Sequence, residues 1–367
     1  MSAAPPPASP PPPSPTSPGS RARRSRGRRV GFALLAVAGA LLASEGALRA
    51  CGYPTGLVRR FRSVWCRDPA ALARQPGLFR PGRWRIDYPP ELAYGIAINA
   101  LGLRGPEAPL EPNPGRLRLL VLGDSVTFGF NVEDEETLPV RLEARLRARG
   151  RAVEVLNGGV GSFTIGDERR YLEERLLALR PRVVLLQFCA NDVSAAELLR
   201  RPTRYEEMLA DAQDAAPARL ADLLRSTALG EAQLRLALWI KRPAEAAPGL
   251  GAPEEPPAAH WAAYEAELRG LRDRLRAEGI GLALCAMPDL HEVRAAGPSP
   301  WEARLSEIAA RLELPFRGAV ERFRRAEGGH ERLYLWPRDP HLAPPGVDLL
   351  AQVAAETLEE AGLLGPP

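Results

Sequence analysis

Lysine is all but missing from this 367-residue chain: Lys241 is the only one, and arginine supplies every other cation. Such a one-sided choice reflects the coding bias of a GC-rich genome more than a set of phosphate-binding sites. Cysteine is scarce too. Its four residues, Cys51, Cys66, Cys189 and Cys285, include no CxxC pair, which argues against a zinc site. Cys51 and Cys66 can close a small disulfide loop if the chain is exported; Cys189 and Cys285 end apolar runs and read as buried thiols. Histidine is limited to His260, His291, His330 and His341, so any imidazole chemistry must use one of these four. Beyond residue 29 there is no excess of positive charge. The net charge of +4 is more than covered by six arginines in residues 1–29 (Arg21, Arg23, Arg24, Arg26, Arg28 and Arg29), where no acid occurs. The rest is slightly acidic, which argues against a nucleic-acid groove.

The bulk composition is ordinary for a globular protein: 45% hydrophobic and 26% charged residues, enough for one large domain with appendages. Residues 1–29, Pro- and Ser-rich and then Arg-rich, read as a disordered cytoplasmic tail. VGFALLAVAGALLASEGALRA comes next over 30–50, apolar without interruption from Val30 to about Ser44, where Glu45 intervenes. That length lies between a signal-peptide core of about 7–15 residues and a spanning helix of about 20. Arginines ahead of it keep the N-terminus in the cytoplasm, so both readings export the chain beyond residue 50. The segment is taken as an uncleaved signal anchor, which predicts a single-pass inner-membrane protein with its main domain on the periplasmic side. Arg49 close before Cys51 argues against a lipoprotein cleavage site.

Residues 51–115, rich in Pro, Gly, Arg and aromatics without a sustained period, are predicted to be an extended lead-in. From 116 to 367 short apolar runs alternate with helical spacing. LRLLVLG (117–123), AVEVLN (152–157), RVVLLQFC (182–189) and IGLALCAM (280–287) read as strands, with a short fifth near Leu314–Phe316. Helices are predicted over Glu136–Arg149, Asp167–Leu179, Trp261–Glu278, Trp301–Leu312 and Gly346–Ala361. Strand–helix alternation predicts an α/β fold: a three-layer α/β/α sandwich around a mostly parallel sheet of about five strands. An insertion over 195–257 interrupts it and is expected to line or cover the site.

In doubly wound sheets the functional loops gather at the carboxyl ends of the strands. Here those ends carry Gly123-Asp124-Ser125, then Asn157 to Ser162, then Ala190-Asn191-Asp192, with Asp339-Pro340-His341 near the C-terminus. A serine hydroxyl attacks only when a base takes its proton, and the base must be held in one tautomer. Ser125 can attack, His341 can accept the proton, and Asp339 can orient the imidazole. The Ser125 backbone N–H, one from the glycine-rich loop and the Asn191 amide can form an oxyanion hole. Plainer roles exist for the same residues: Ser125 or Asp124 as a helix cap, Asn191-Asp192 as another. His260, His291 and His330 have no Asp two residues away after the last strand. Arg83 and Arg104 can meet an anionic substrate or simply face solvent.

VLGDSVTFG (121–129), NGGVGSF (157–163), ANDV (190–193) and DPH (339–341) resemble, in order, the conserved blocks of the SGNH (GDSL-type) hydrolases. INALGLRGPEAP (98–109) is similar to a stretch in membrane-anchored bacterial members. The resemblance implies a flavodoxin-like fold, catalytic Ser125, His341 and Asp339, and an oxyanion hole of Ser125, Ser162 and Asn191, without metal or organic cofactor. Ser162 stands where the family carries glycine, Cys189 replaces the glycine of the third block, and Asp339 lies two residues before His341 instead of three. In extended chain residues two apart point the same way, and some acyl-transferring relatives resemble this shorter form. The implied activity is a serine esterase removing a short acyl group, such as acetyl, from a carbohydrate or lipid. An O-acyltransferase acting on an extracytoplasmic polysaccharide uses the same groups, and a non-catalytic binding or scaffold module on this fold is the third reading.

Overall fold

The computed structural model describes residues 19–51, 64–86, 92–193, 202–213, 227–230, 232 and 256–365. Residues 1–18 of the tail predicted over 1–29, and most of the 195–257 insertion, lie outside them; residues 19–29 of that tail are the start of a helix. In chain order the elements are α1 (Gly19–Ala50), α2 (Pro69–Arg74), β1 (Gly82–Ile86), β2 (Tyr94–Ile98), β3 (Leu117–Gly123), α3 (Ser125–Phe128), α4 (Leu138–Ala148), β4 (Val153–Gly159), α5 (Ile165–Glu174) and β5 (Val183–Phe188). They continue with α6 (Arg204–Gln213), α7 (Ala258–Ala277), β6 (Gly281–Ala286), α8 (Leu290–Arg294), α9 (Pro300–Arg311), α10 (Val320–Arg324) and α11 (Pro344–Glu360).

The apolar runs form strands because both of their faces are covered. Leu119, Val121, Val183, Leu185, Ala283 and Cys285 pack with α4 and α11, while Leu120, Leu122, Val184, Leu186, Leu282 and Leu284 pack with α5, α7 and α9. This period of two splits each strand between two helical layers. The result is an α/β/α sandwich around a parallel sheet of order β4-β3-β5-β6. Chain order reverses between β3 and β5, and at that switch point their carboxyl ends leave a crevice.

Three sequence expectations are revised. The fifth strand is reduced to one parallel bridge, Leu284 to Phe316: Pro315 has no N–H to extend the ladder, though its carbonyl accepts the Leu284 N–H at 2.9 Å. The lead-in is not uniformly extended. It contains α2, capped by Asp68, and an antiparallel hairpin in which Gly82 faces Ile98 and Ile86 faces Tyr94. All four cysteines are free: Cys51 is exposed, Cys66 and Cys285 are buried, and Cys189 is only part-buried.

Within α1, residues Arg28–Ala50 form a 23-residue stretch long and apolar enough to cross a membrane, with none of it buried by the rest of the described chain. Near its end, Glu45 Oε1 accepts the Ala228 N–H at 3.0 Å and Oε2 the Leu229 N–H at 2.8 Å. A described piece of the insertion therefore rests against the base of this helix.

Candidate active site

β3 delivers its last residues into a crowded turn that only small side chains permit. A Cβ on Gly123 would lie 2.3 Å from Thr127 Oγ1, and one on Gly159 would lie 2.2 Å from the Phe128 nitrogen. These two glycines let β3, α3 and the end of β4 close on one another. Asp124, 1% exposed, caps α3: its Oδ1 accepts the Val126 N–H at 2.9 Å. The same carboxylate reaches across the switch point, where Oδ2 accepts the Asn191 Nδ2–H at 3.0 Å. Capping thus joins the first block to the third.

Ser125 begins α3, and its Oγ lies 2.7 Å from His341 Nε2. His341 Nδ1 lies 2.5 Å from Asp339 Oδ1, which also accepts the His341 backbone N–H at 2.8 Å. With Nδ1–H donated to the carboxylate, Nε2 is left as the acceptor for the Ser125 hydroxyl. Spacing by two brings Asp339 to its histidine because the segment folds back. Leu335 N–H donates to the His341 carbonyl at 2.9 Å, and Tyr334 pairs with Leu342.

The other histidines are committed elsewhere. His260 Nδ1 is 3.0 Å from the Val193 carbonyl, while His291 and His330 stand beside Asp289 and Glu331. Burial pulls the His341 pKa down, but the hydrogen bond and charge of Asp339, joined by Asp124, outweigh it and hold the group above 6.5. Burial raises Asp339, and the contacts from His341 and the Asn131 side chain reverse this, leaving it below 3.8.

The remaining predicted residues surround this line. Ser162 is half-buried in a turn closed by Phe163 N–H to the Val160 carbonyl, and has φ +64°, the left-handed region. That conformation explains the glycine the resemblance expects here. Ser162→Gly is therefore expected to stabilise the fold by about 1 kcal/mol, read as a higher thermal midpoint; a lower one would contradict relief of strain. Asn191 uses one amide proton on Asp124 and has a second available, while its Oδ1 is buried without a hydrogen-bond partner. Cys189 has its thiol held well above the ordinary value by burial and by Asp124 and Asp192, so it stays neutral at the site edge.

Arg104 belongs to neither role weighed for it. It is 2% exposed and spends its guanidinium on backbone carbonyls and Asp134; Arg83 is exposed on β1. Sequence reasoning does not find Phe130, whose ring lies against that of His341 with centroids 5.6 Å apart. Nothing in GFNVED marks it beyond a turn. Among the described residues no group of three His, Cys, Asp or Glu is arranged to hold a metal ion.

A parallel sheet presenting serine, asparagine and a histidine–aspartate pair at one edge defines the architecture of an α/β acyl-ester hydrolase. Residues 121–307, about half of the chain, match the GDSL-like Lipase/Acylhydrolase family, and the chain belongs to that family. An arylesterase from Vibrio mimicus is 36% identical over 75 residues, 20% of this chain and 38% of the arylesterase. The match therefore spans well under half of that relative. Among solved structures, a lipase/acylhydrolase from Enterococcus faecalis is similar at 16% identity and a TM-score of 0.41, covering 67% of this chain and 96% of that one. An acetyl xylan esterase from Geobacillus stearothermophilus is similar at 17% identity and 0.40, covering 66% and 94%.

Proposed function

We propose that this protein is a serine esterase that removes a short acyl group from a carbohydrate or lipid, held at a membrane by α1 with its hydrolase domain on the periplasmic side. The observation behind this reading is the continuous hydrogen-bonded line from Ser125 through His341 to Asp339, at 2.7 and 2.5 Å.

In the proposed reaction Ser125 Oγ attacks the ester carbonyl carbon as its proton passes to His341 Nε2. The carbonyl oxygen becomes an oxyanion facing the backbone N–H groups of Ser125 and Ser162 and the second amide proton of Asn191. As the carbon–alkoxy bond breaks, His341 gives the proton to the leaving alcohol. Water then attacks acyl-Ser125, His341 takes its proton, and the acid departs with the serine restored. Asp339 stays ionised throughout and stabilises the imidazolium.

The test is a product assay on purified protein. Substrates are p-nitrophenyl acetate, its longer-chain homologues, and an acetylated glycan, each with and without an unacylated glycan as acceptor. Loss of acyl mass from the substrate, with free acid released and activity falling with chain length, supports the reading. Acyl mass gained by the acceptor would replace it with O-acyl transfer.

A further inference from the structure

The imidazole of His341 is held from two sides, and the two holds are unequal. Asp339 lies two residues away on the same segment and accepts both His341 N–H groups on one oxygen, at 2.8 and 2.5 Å. It orients the ring but shares any movement of that segment. On the other side stands the 2.7 Å hydrogen bond with Ser125 Oγ, which is lost whenever that oxygen carries an acyl group. The contact that outlasts it is aromatic. The Phe130 ring centroid lies 5.6 Å from that of His341, with the planes 36° apart.

Phe130 is tied to the nucleophile's side of the site. Its N–H donates to the Ser125 carbonyl at 3.0 Å, and the Gly129 N–H donates to the same oxygen at 2.9 Å. Behind it an aromatic row continues: Phe130 meets Phe128 edge-on at 5.6 Å, and Phe128 meets Phe79 of the lead-in at 5.0 Å. Gly129 (φ +90°) and Asn131 (φ +63°), on either side of Phe130, pass through the left-handed region, so the turn has to be held by its surroundings. Arg104, whose side chain is fully buried, does this. Its Nε donates to Asp134 Oδ1 at 2.8 Å. One terminal nitrogen donates to the carbonyls of Phe128 (3.1 Å) and Gly129, and the other to those of Gly95 (2.8 Å) and Val132 (2.8 Å). Glu133 Oε2 accepts the Gly95 N–H at 2.8 Å and closes the turn onto β2. A planar fork with five donors suits this cage; an ammonium group does not.

We infer that Phe130 is a positioning residue for His341: its ring, carried on the Ser125 side, backs the imidazole and keeps Nε2 facing the Ser125 oxygen through both halves of the reaction. The inference rests on the esterase reading of Ser125 and His341. Phe130 is half-buried and packs against the apolar core shared by the lead-in and the sheet, so the ring has a rigid backing of its own. A flat face is what the contact uses, because two rings gain from their mutual geometry beyond the area they bury.

Phe130→Leu and Phe130→Tyr test it as a pair, since leucine keeps an apolar side chain without the flat face and tyrosine keeps the face. Misplacing a catalytic group costs up to about 100-fold in rate, so Phe130→Leu is expected to lower kcat on p-nitrophenyl acetate by roughly 10- to 100-fold. KM and the thermal midpoint should change little, and Ser125 should react with a fluorophosphonate more slowly by a similar factor. Phe130→Tyr should stay within a few-fold of wild type in both assays. Where leucine lowers the midpoint, Phe130→Met, which refills the space without a ring, takes its place. Three results would overturn the positioning role alone, beside an inactive Ser125→Ala control: wild-type kcat in Phe130→Leu, equal losses in the leucine and tyrosine variants, or a raised KM at unchanged kcat, which would make the ring a substrate contact. Wild-type turnover by Ser125→Ala would overturn the esterase reading and this inference with it.

Discussion

Ser125→Ala is expected to lower kcat by roughly 10⁴- to 10⁶-fold while leaving KM within a few-fold. The hydroxyl is the only side-chain group in the proposed mechanism that bonds to the acyl carbon, and neither neighbour can replace it. Asp124 is buried and occupied by the Val126 and Asn191 donors, and His341 points its Nε2 at the position the hydroxyl vacates. Removing it should not disturb the fold: Ser125 is the first residue of α3, and alanine suits a helix. Residual turnover would report what the oxyanion donors achieve alone. The check is steady-state p-nitrophenyl acetate hydrolysis with the thermal midpoint measured in parallel; a variant within about tenfold of wild type contradicts the nucleophile assignment.

Asp339→Asn should cost about 10⁴-fold in kcat for a different reason. The asparagine amide, turned toward Nδ1, donates where the carboxylate accepted, so the proton shifts to Nε2 and the base can no longer take one from Ser125. This substitution also tests the electrostatics. The base works only when neutral, so kcat/KM falls as pH drops through the His341 pKa. Burial alone would put that value below 6.5, and the Asp339 hydrogen bond and charge, with Asp124, bring it above. The wild-type acidic limb is thus expected above pH 6.5, and the limb of the residual Asp339→Asn activity at lower pH. A limb that stays in place would show that Asp339 does not set the charge state of His341.

How much of this was legible in the sequence depends on what each residue answers to. β3 could be read to the residue, because a strand buried on both faces must be apolar throughout, and Leu117–Gly123 is nearly so, Arg118 excepted. Helix ends shifted by a few residues where local capping decides: α4 starts at Leu138, after a short turn over Asp134–Glu136, instead of at Glu136. The hairpin of the lead-in escaped because its strands are only five residues each: Trp84 and Ile86 in β1, and Tyr94, Ile96 and Ile98 in β2, do alternate toward the core, but so short a period amid Pro, Gly and Arg does not stand out. Arg104 was misjudged for a related reason: a guanidinium buried among carbonyls and one exposed to solvent look the same in sequence. Ser125, Asn191, Asp339 and His341 stood out because acyl transfer restricts residue type so strongly. Phe130 sits in a turn with no motif of its own, so only the fold could relate its ring to His341.

The most direct measurement is to map where a fluorophosphonate bonds. The proposed chemistry requires one activated serine, so intact-mass and peptide mass spectrometry of the labelled protein should find a single adduct on Ser125. That adduct should vanish in Ser125→Ala and form far more slowly in His341→Ala. Labelling of another residue, or none on a protein that still hydrolyses esters, would contradict the Ser125–His341–Asp339 account.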